Sequence, residues 1–75
     1  MEKNKKSENV RKAFGAKVRK LRREQELSQE ALAERAGLHV NYVGSVERGE
    51  RNISLENIVN LAKGLNCSPK DLMPD

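Results

Sequence analysis

Residues 28–49 read SQEALAERAGLHVNYVGSVERG, and this stretch predicts two short helices joined by a tight turn. Ser28 suits the cap of the first, its hydroxyl accepting a free backbone N–H in the opening turn. Leu32, Ala33 and Ala36 then recur at helical spacing. Gly37 stands where a helix end needs positive φ, so the helix is expected to stop there and Leu38 to drop into the core. The next helix is expected over Val40 to Arg48, ended by Gly49 in the same way.

That second helix has two unlike faces. At about 100° per residue, Tyr42, Val43, Val46 and Glu47 fall on one side; Val40, Asn41, Gly44, Ser45 and Arg48 lie within roughly 140° on the other. A face that only meets water carries Lys and Glu four apart. This one lacks that pattern and is short and chemically varied, which suits close approach to another surface. A helix-turn-helix lays its second helix in the DNA major groove.

Outward from this centre, Val10, Phe14, Val18 and Leu21 mark the apolar stripe of a first helix expected from Glu8 to Glu26. Residues 1–7 read as a flexible basic tail. Gly15 reads as a helical glycine tolerated at about 1 kcal/mol relative to Ala. On the other side, Ser54 is placed to cap a fourth helix over Leu55 to Leu65, with Ile58, Leu61, Ala62 and Leu65 inward and Asn66 as a left-handed stop. Ser68-Pro69 opens a fifth short helix carrying Leu72 and Met73. The expected fold is all-α: a five-helix bundle, with residues 8–75 as one domain.

Composition narrows the class. Seventy-five residues hold one small core, and with Phe14 and Tyr42 the only aromatics that core must be aliphatic. No apolar run nears the roughly 20 residues of a membrane span, and no signal peptide is visible. The lone Cys67 reads as a small buried hydrophobe and, with no second thiol, fits a reducing cytoplasm. One histidine, no Gly-rich phosphate loop and no metal-ligand set argue against an enzyme. Residues 1–23 hold ten Lys/Arg against two Glu, a balance of +8; residues 24–75 hold five against nine, −4. The basic first helix reads either as a solvated face or as a source of attraction to phosphate through Arg11, Lys12, Lys17, Arg19 or Lys20.

Several residues then carry a resemblance: Ser28-Gln29, Leu32-Ala33, Ala36-Gly37, Val46-Glu47-Arg48-Gly49, Asn52-Ile53-Ser54-Leu55 and Leu61-Ala62-Lys63-Gly64-Leu65. Together they resemble the Cro and lambda-repressor (XRE) helix-turn-helix family over residues 10–73. The run LAERAGLHVNYVGSVERGERNISL looks most like the controller proteins of restriction-modification systems, which regulate their own operon and the endonuclease gene. The resemblance implies a structural ion pair between Arg22 and Glu47, and a DNA-backbone anchor at Gln29.

Base reading is expected from the bare face of the third helix. Asn41 can bond bidentately to adenine, Ser45 can donate or accept, and Val40 suits a thymine methyl. Gly44 either lets the helix backbone come close to the DNA or is an ordinary tolerated helical glycine. Phosphate contacts are expected from Gln29, Arg48, Arg51 and Asn52, with Tyr42 divided between core and phosphate. His39 can cap the helix, face solvent or touch DNA. The expected function is a regulator that binds a pseudo-palindromic operator in double-stranded DNA as a homodimer, joined through the fourth and fifth helices near Leu65, Cys67, Leu72 and Met73. The alternative is an antitoxin-like or protein-interaction module. No cofactor, metal or small-molecule ligand is expected.

Overall fold

The computed structural model describes residues 2–75, with side chains described from Lys6 onward. Its helices are α1 (Glu2–Glu24), α2 (Gln29–Ala36), α3 (Val40–Glu47) and α4 (Leu55–Gly64), followed by one 3₁₀ turn at Pro69–Leu72. Four helices and a turn therefore replace the expected five helices. The reason lies in the two prolines. Pro69 starts the turn, and Pro74 forces Met73 into extended backbone (φ −75°, ψ 142°), so too few residues remain for an α-helix. Asp71 steadies the turn by accepting the Ser68 N–H at 3.0 Å.

α1 begins at Glu2 rather than Glu8. Met1 and the side chains of residues 2–5, within the expected tail, lie outside the described residues. With no Pro or Gly before Gly15, extending a formed helix is easier than starting one at Ser7. The other end also moves: α1 stops at Glu24, not Glu26. All four helices close in one manner, at a residue with positive φ: Glu26 (57°), Gly37 (71°), Gly49 (77°) and Asn66 (54°). At each, the following N–H reaches back five residues, as from Leu27 to the Arg22 carbonyl (3.0 Å) and from Leu38 to that of Ala33 (2.8 Å). Glu26 carries no glycine-like signal, which is why the first helix reads as too long.

α1 packs on α3, and α2 packs on both α3 and α4. Phe14, Val18, Leu32, Val43, Val46, Leu61, Leu65 and Leu72 form one core, with Ala33, Ala36 and Ala62 where helices cross closely. Val10, expected in the stripe, is exposed: it lies one turn before Phe14, where α1 enters the core, and only the edge of an open groove with Asn52 and Met73 stands beside it. Gly15 is more than tolerated. A Cβ there would overlap the Val46 carbonyl oxygen and lie 2.8 Å from that of Glu47. The glycine lets α1 lie against the α3 backbone and sets where α3 sits. Among the described residues no helix is long and apolar enough to cross a membrane.

Candidate nucleic-acid interface

The site is built around α3, and its anchor is Glu47. Its side chain is fully buried, a costly place for a charge unless it is paired and hydrogen-bonded. Arg22 meets it with two bonds, Nε to Oε2 at 2.6 Å and Nη2 to Oε1 at 3.0 Å. The remaining Nη1 donates to the Leu27 carbonyl at 2.7 Å, so one guanidinium ties α1, the α1–α2 turn and α3 together. Gln29 Nε2 adds a bond from the start of α2 to Oε1 at 3.0 Å, and Arg19 Nε adds another at 3.3 Å. Burial pushes the Glu47 carboxyl upward, but the bonds from Arg22, Gln29 and Arg19 outweigh it and hold the group below its ordinary value. The same bond to Glu47 raises Arg22, against a smaller opposing effect of burial.

The helix start is set by His39, whose Nδ1 accepts the Asn41 N–H at 3.1 Å while the residue stays exposed to solvent. Asn41 is exposed and Val40 half-buried, so both present side chains at the open end of α3. The rest of the bare face is narrower than the helical wheel implies. Ser45 is only 5% exposed: its hydroxyl donates to the Tyr42 carbonyl at 2.7 Å and accepts Arg51 Nε at 3.0 Å. Gly44 is buried too, with Gln29 and Arg48 over it; a Cβ there would stand 3.3 Å from Arg48 Nη1 and 3.4 Å from Gln29 Oε1. In this structure, then, neither Gly44 nor Ser45 presents a free surface for a base. Both are covered by long polar side chains that reach in from the flanks.

Those flanking groups are the ones expected at phosphates. Gln29 stands at the start of α2, whose Ser28 cap accepts the Ala31 N–H at 2.9 Å. Arg48 and Asn52 are exposed past the other end of α3. Arg48 is paired with Glu50 at 2.9 and 3.1 Å, an exposed pair that a competing anion can replace cheaply. Arg51 lies over the Tyr42 ring, 5.4 Å from its centre. Tyr42 is half-buried against the core, and its hydroxyl accepts Asn57 Nδ2 of α4 at 3.2 Å. Glu50 has no role in the residue reading, and Arg19, read there only as one of five cations of the basic first helix, proves to be a donor to Glu47. The signal for Arg19 was its place one turn before Arg22 on the same helical face.

One expected grouping is not formed. Leu65 and Leu72, assigned to a dimer seam, are wholly buried in the monomer's own core. Met73 stays exposed and Cys67 half-buried, while Leu55, at the start of α4, is 77% exposed.

The helix-turn-helix family profile matches residues 18–72. The control protein C.BamHI of Bacillus amyloliquefaciens is 47% identical over 66 residues, spanning 87% of this chain and 82% of that protein. Control protein C.SmaI of Serratia marcescens is 46% identical over 65 residues, 87% of this chain and 77% of that one. Among solved structures, the restriction-modification controller protein C.AhdI of Aeromonas hydrophila superposes with a TM-score of 0.81 at 50% identity, covering 83% of this chain and 94% of its own. The ion-paired, helix-turn-helix scaffold described above and these similarities agree: the chain belongs to the helix-turn-helix family of transcriptional regulators, in the group of restriction-modification control proteins.

Proposed function

We propose that the protein regulates a restriction-modification operon by binding, as a homodimer, a pseudo-palindromic operator in double-stranded DNA. The observation that carries this is the arrangement around α3: Asn41 open to solvent beside the half-buried Val40, Gln29 on one flank, and Arg48, Arg51 and Asn52 on the other. Such a helix enters the major groove with its N-terminal residues at base edges. In this reading Asn41 and Val40 read bases directly. Gln29, Arg48, Arg51, Asn52 and the Tyr42 hydroxyl hold the backbone. Gly44 and Ser45 join the reading only as the side chains over them move onto phosphates.

One such helix covers only a few base pairs, so two copies are required, with half-sites about 34–36 Å apart. The seam we assign is the outer face of α4, where Leu55 and, one turn on, the half-buried Val59 stand together. Selection of bound sequences from a random DNA pool tests the whole reading: an enriched inverted repeat is expected. Enrichment of a single unrepeated half-site would remove the dimer, and no enrichment would remove sequence reading altogether.

A further inference from the structure

We propose that Arg19, on α1, is a further DNA-phosphate ligand, gripping the backbone beside Gln29; this rests on the DNA-binding reading above. Glu47 Oε1 receives three donors: Arg22 Nη2 and Gln29 Nε2, each at 3.0 Å, and Arg19 Nε at 3.3 Å. A carboxylate oxygen offers two in-plane lone-pair directions, so the third donor is surplus. Arg19 is that donor. Its bond is the longest of the three and the only one it makes among the described residues, leaving both Nη groups without a protein acceptor. Its side chain is 41% exposed, against 11% for Arg22.

Charge points the same way. Arg22 alone balances Glu47 through its bidentate pair. Arg19 therefore brings a net positive charge to a cluster that is already neutral. It does so on the wall of an open groove whose other sides include Lys20 and Arg23 against one further carboxylate, Glu24. Because Arg19 and Gln29 meet on one oxygen atom, the guanidinium sits next to the amide assigned to a phosphate, at the start of α2 where backbone N–H groups also favour an anion. A phosphate there is met by Gln29 and, once its loose bond to Glu47 is given up, by the Arg19 fork. Glu47 keeps its bidentate pair with Arg22, so its charge stays balanced. This separates Arg19 from the other cations of the basic first helix, of which Arg11 donates to the Gly49 carbonyl and Lys17 pairs with Asp75.

The test is binding of the full chain to a labelled mixed-sequence duplex across a salt series, for wild type, Arg19→Gln, Arg19→Lys and Lys63→Gln. Lys63→Gln makes the same charge change in the last turn of α4. Arg19→Gln is expected to flatten the plot of log affinity against log salt by about 0.9, the value for one phosphate contact, with an unchanged thermal midpoint. Arg19→Lys should keep the slope, and Lys63→Gln should leave it as in wild type. An unchanged slope in Arg19→Gln, or an equal change in Lys63→Gln, overturns the assignment while leaving the DNA-binding reading intact. Unfolding of Arg19→Gln also overturns it, by making Arg19 part of the clamp on Glu47. If wild type itself shows no salt-dependent binding, the parent reading falls, and this one with it.

Discussion

Glu47 shows what one buried charge can organise. Its carboxylate joins α1, α2 and α3 through Arg22, Arg19 and Gln29. Such a pair gives geometry more surely than net stability, since desolvation offsets much of the attraction. Removing one partner is a different matter, because the other is left buried and alone. Arg22→Ala is expected to cost about 3 kcal/mol, read from urea denaturation; a loss under about 1 kcal/mol would mean the pair behaves like a surface one. The carboxyl is held below its ordinary value of 4.5 in the folded state. Its contribution is therefore complete above that pH and declines as pH falls through the lowered folded value. In Arg22→Ala this acid-side loss should shrink, which an acid titration of the melting temperature measures. Asn41 carries the base-reading prediction. Asn41→Ala should discriminate against the wrong base less by about 1–3 kcal/mol at one operator position while binding to unrelated DNA stays the same. A uniform loss across sequences would make Asn41 a backbone contact instead.

At the scale of elements, the position of α3 depends on how closely α1 approaches it. The Gly15 contact with the Val46 and Glu47 carbonyls allows that approach. In an isolated helix Gly15→Ala would gain about 1 kcal/mol from propensity. Here the added methyl meets backbone, which cannot swing aside as a side chain can. We expect a net loss of about 1–3 kcal/mol and weaker DNA binding, because α3 and its flanking ligands must shift; a more stable Gly15→Ala protein would show that α1 and α3 have room to part. The four helix ends share a stop, and in each the chain leaves in a defined direction. The turns at Gly37 and Gly49 thereby aim α3 and the Arg51 loop. Gln25 fastens the far corner, its Nε2 reaching the Leu65 carbonyl at 2.6 Å.

For the whole molecule, the small core leaves Val10, Met73 and, most of all, Leu55 exposed. Leu55 stands 77% exposed at the start of α4, and burying such a side chain is worth about 1.5–3 kcal/mol. Leu55→Glu is expected to leave the fold intact, move the protein to monomer in sedimentation equilibrium, and reduce operator affinity far more than affinity for unrelated DNA. A variant that stays dimeric would place the seam elsewhere on the surface.

The all-helical class, the boundaries of α2, the start of α3 and the stop at Asn66 were legible in the residues, because caps, glycines and apolar periodicity act over a few neighbouring positions. So was family membership, which rests on motifs within that same local range. What needed the tertiary structure was anything decided by a distant neighbour. Val10 is exposed because only the edge of an open groove stands beside it; Gly15 is required because another backbone passes it; Leu65 and Leu72 are core rather than seam because helices close over them. The last turn stayed 3₁₀ because Pro69 and Pro74 bracket it. Ser45 falls on the outer face of its helix, yet it is covered by an arginine six residues on. Periodicity states which way a side chain leaves its own helix; only packing in three dimensions states what it meets there.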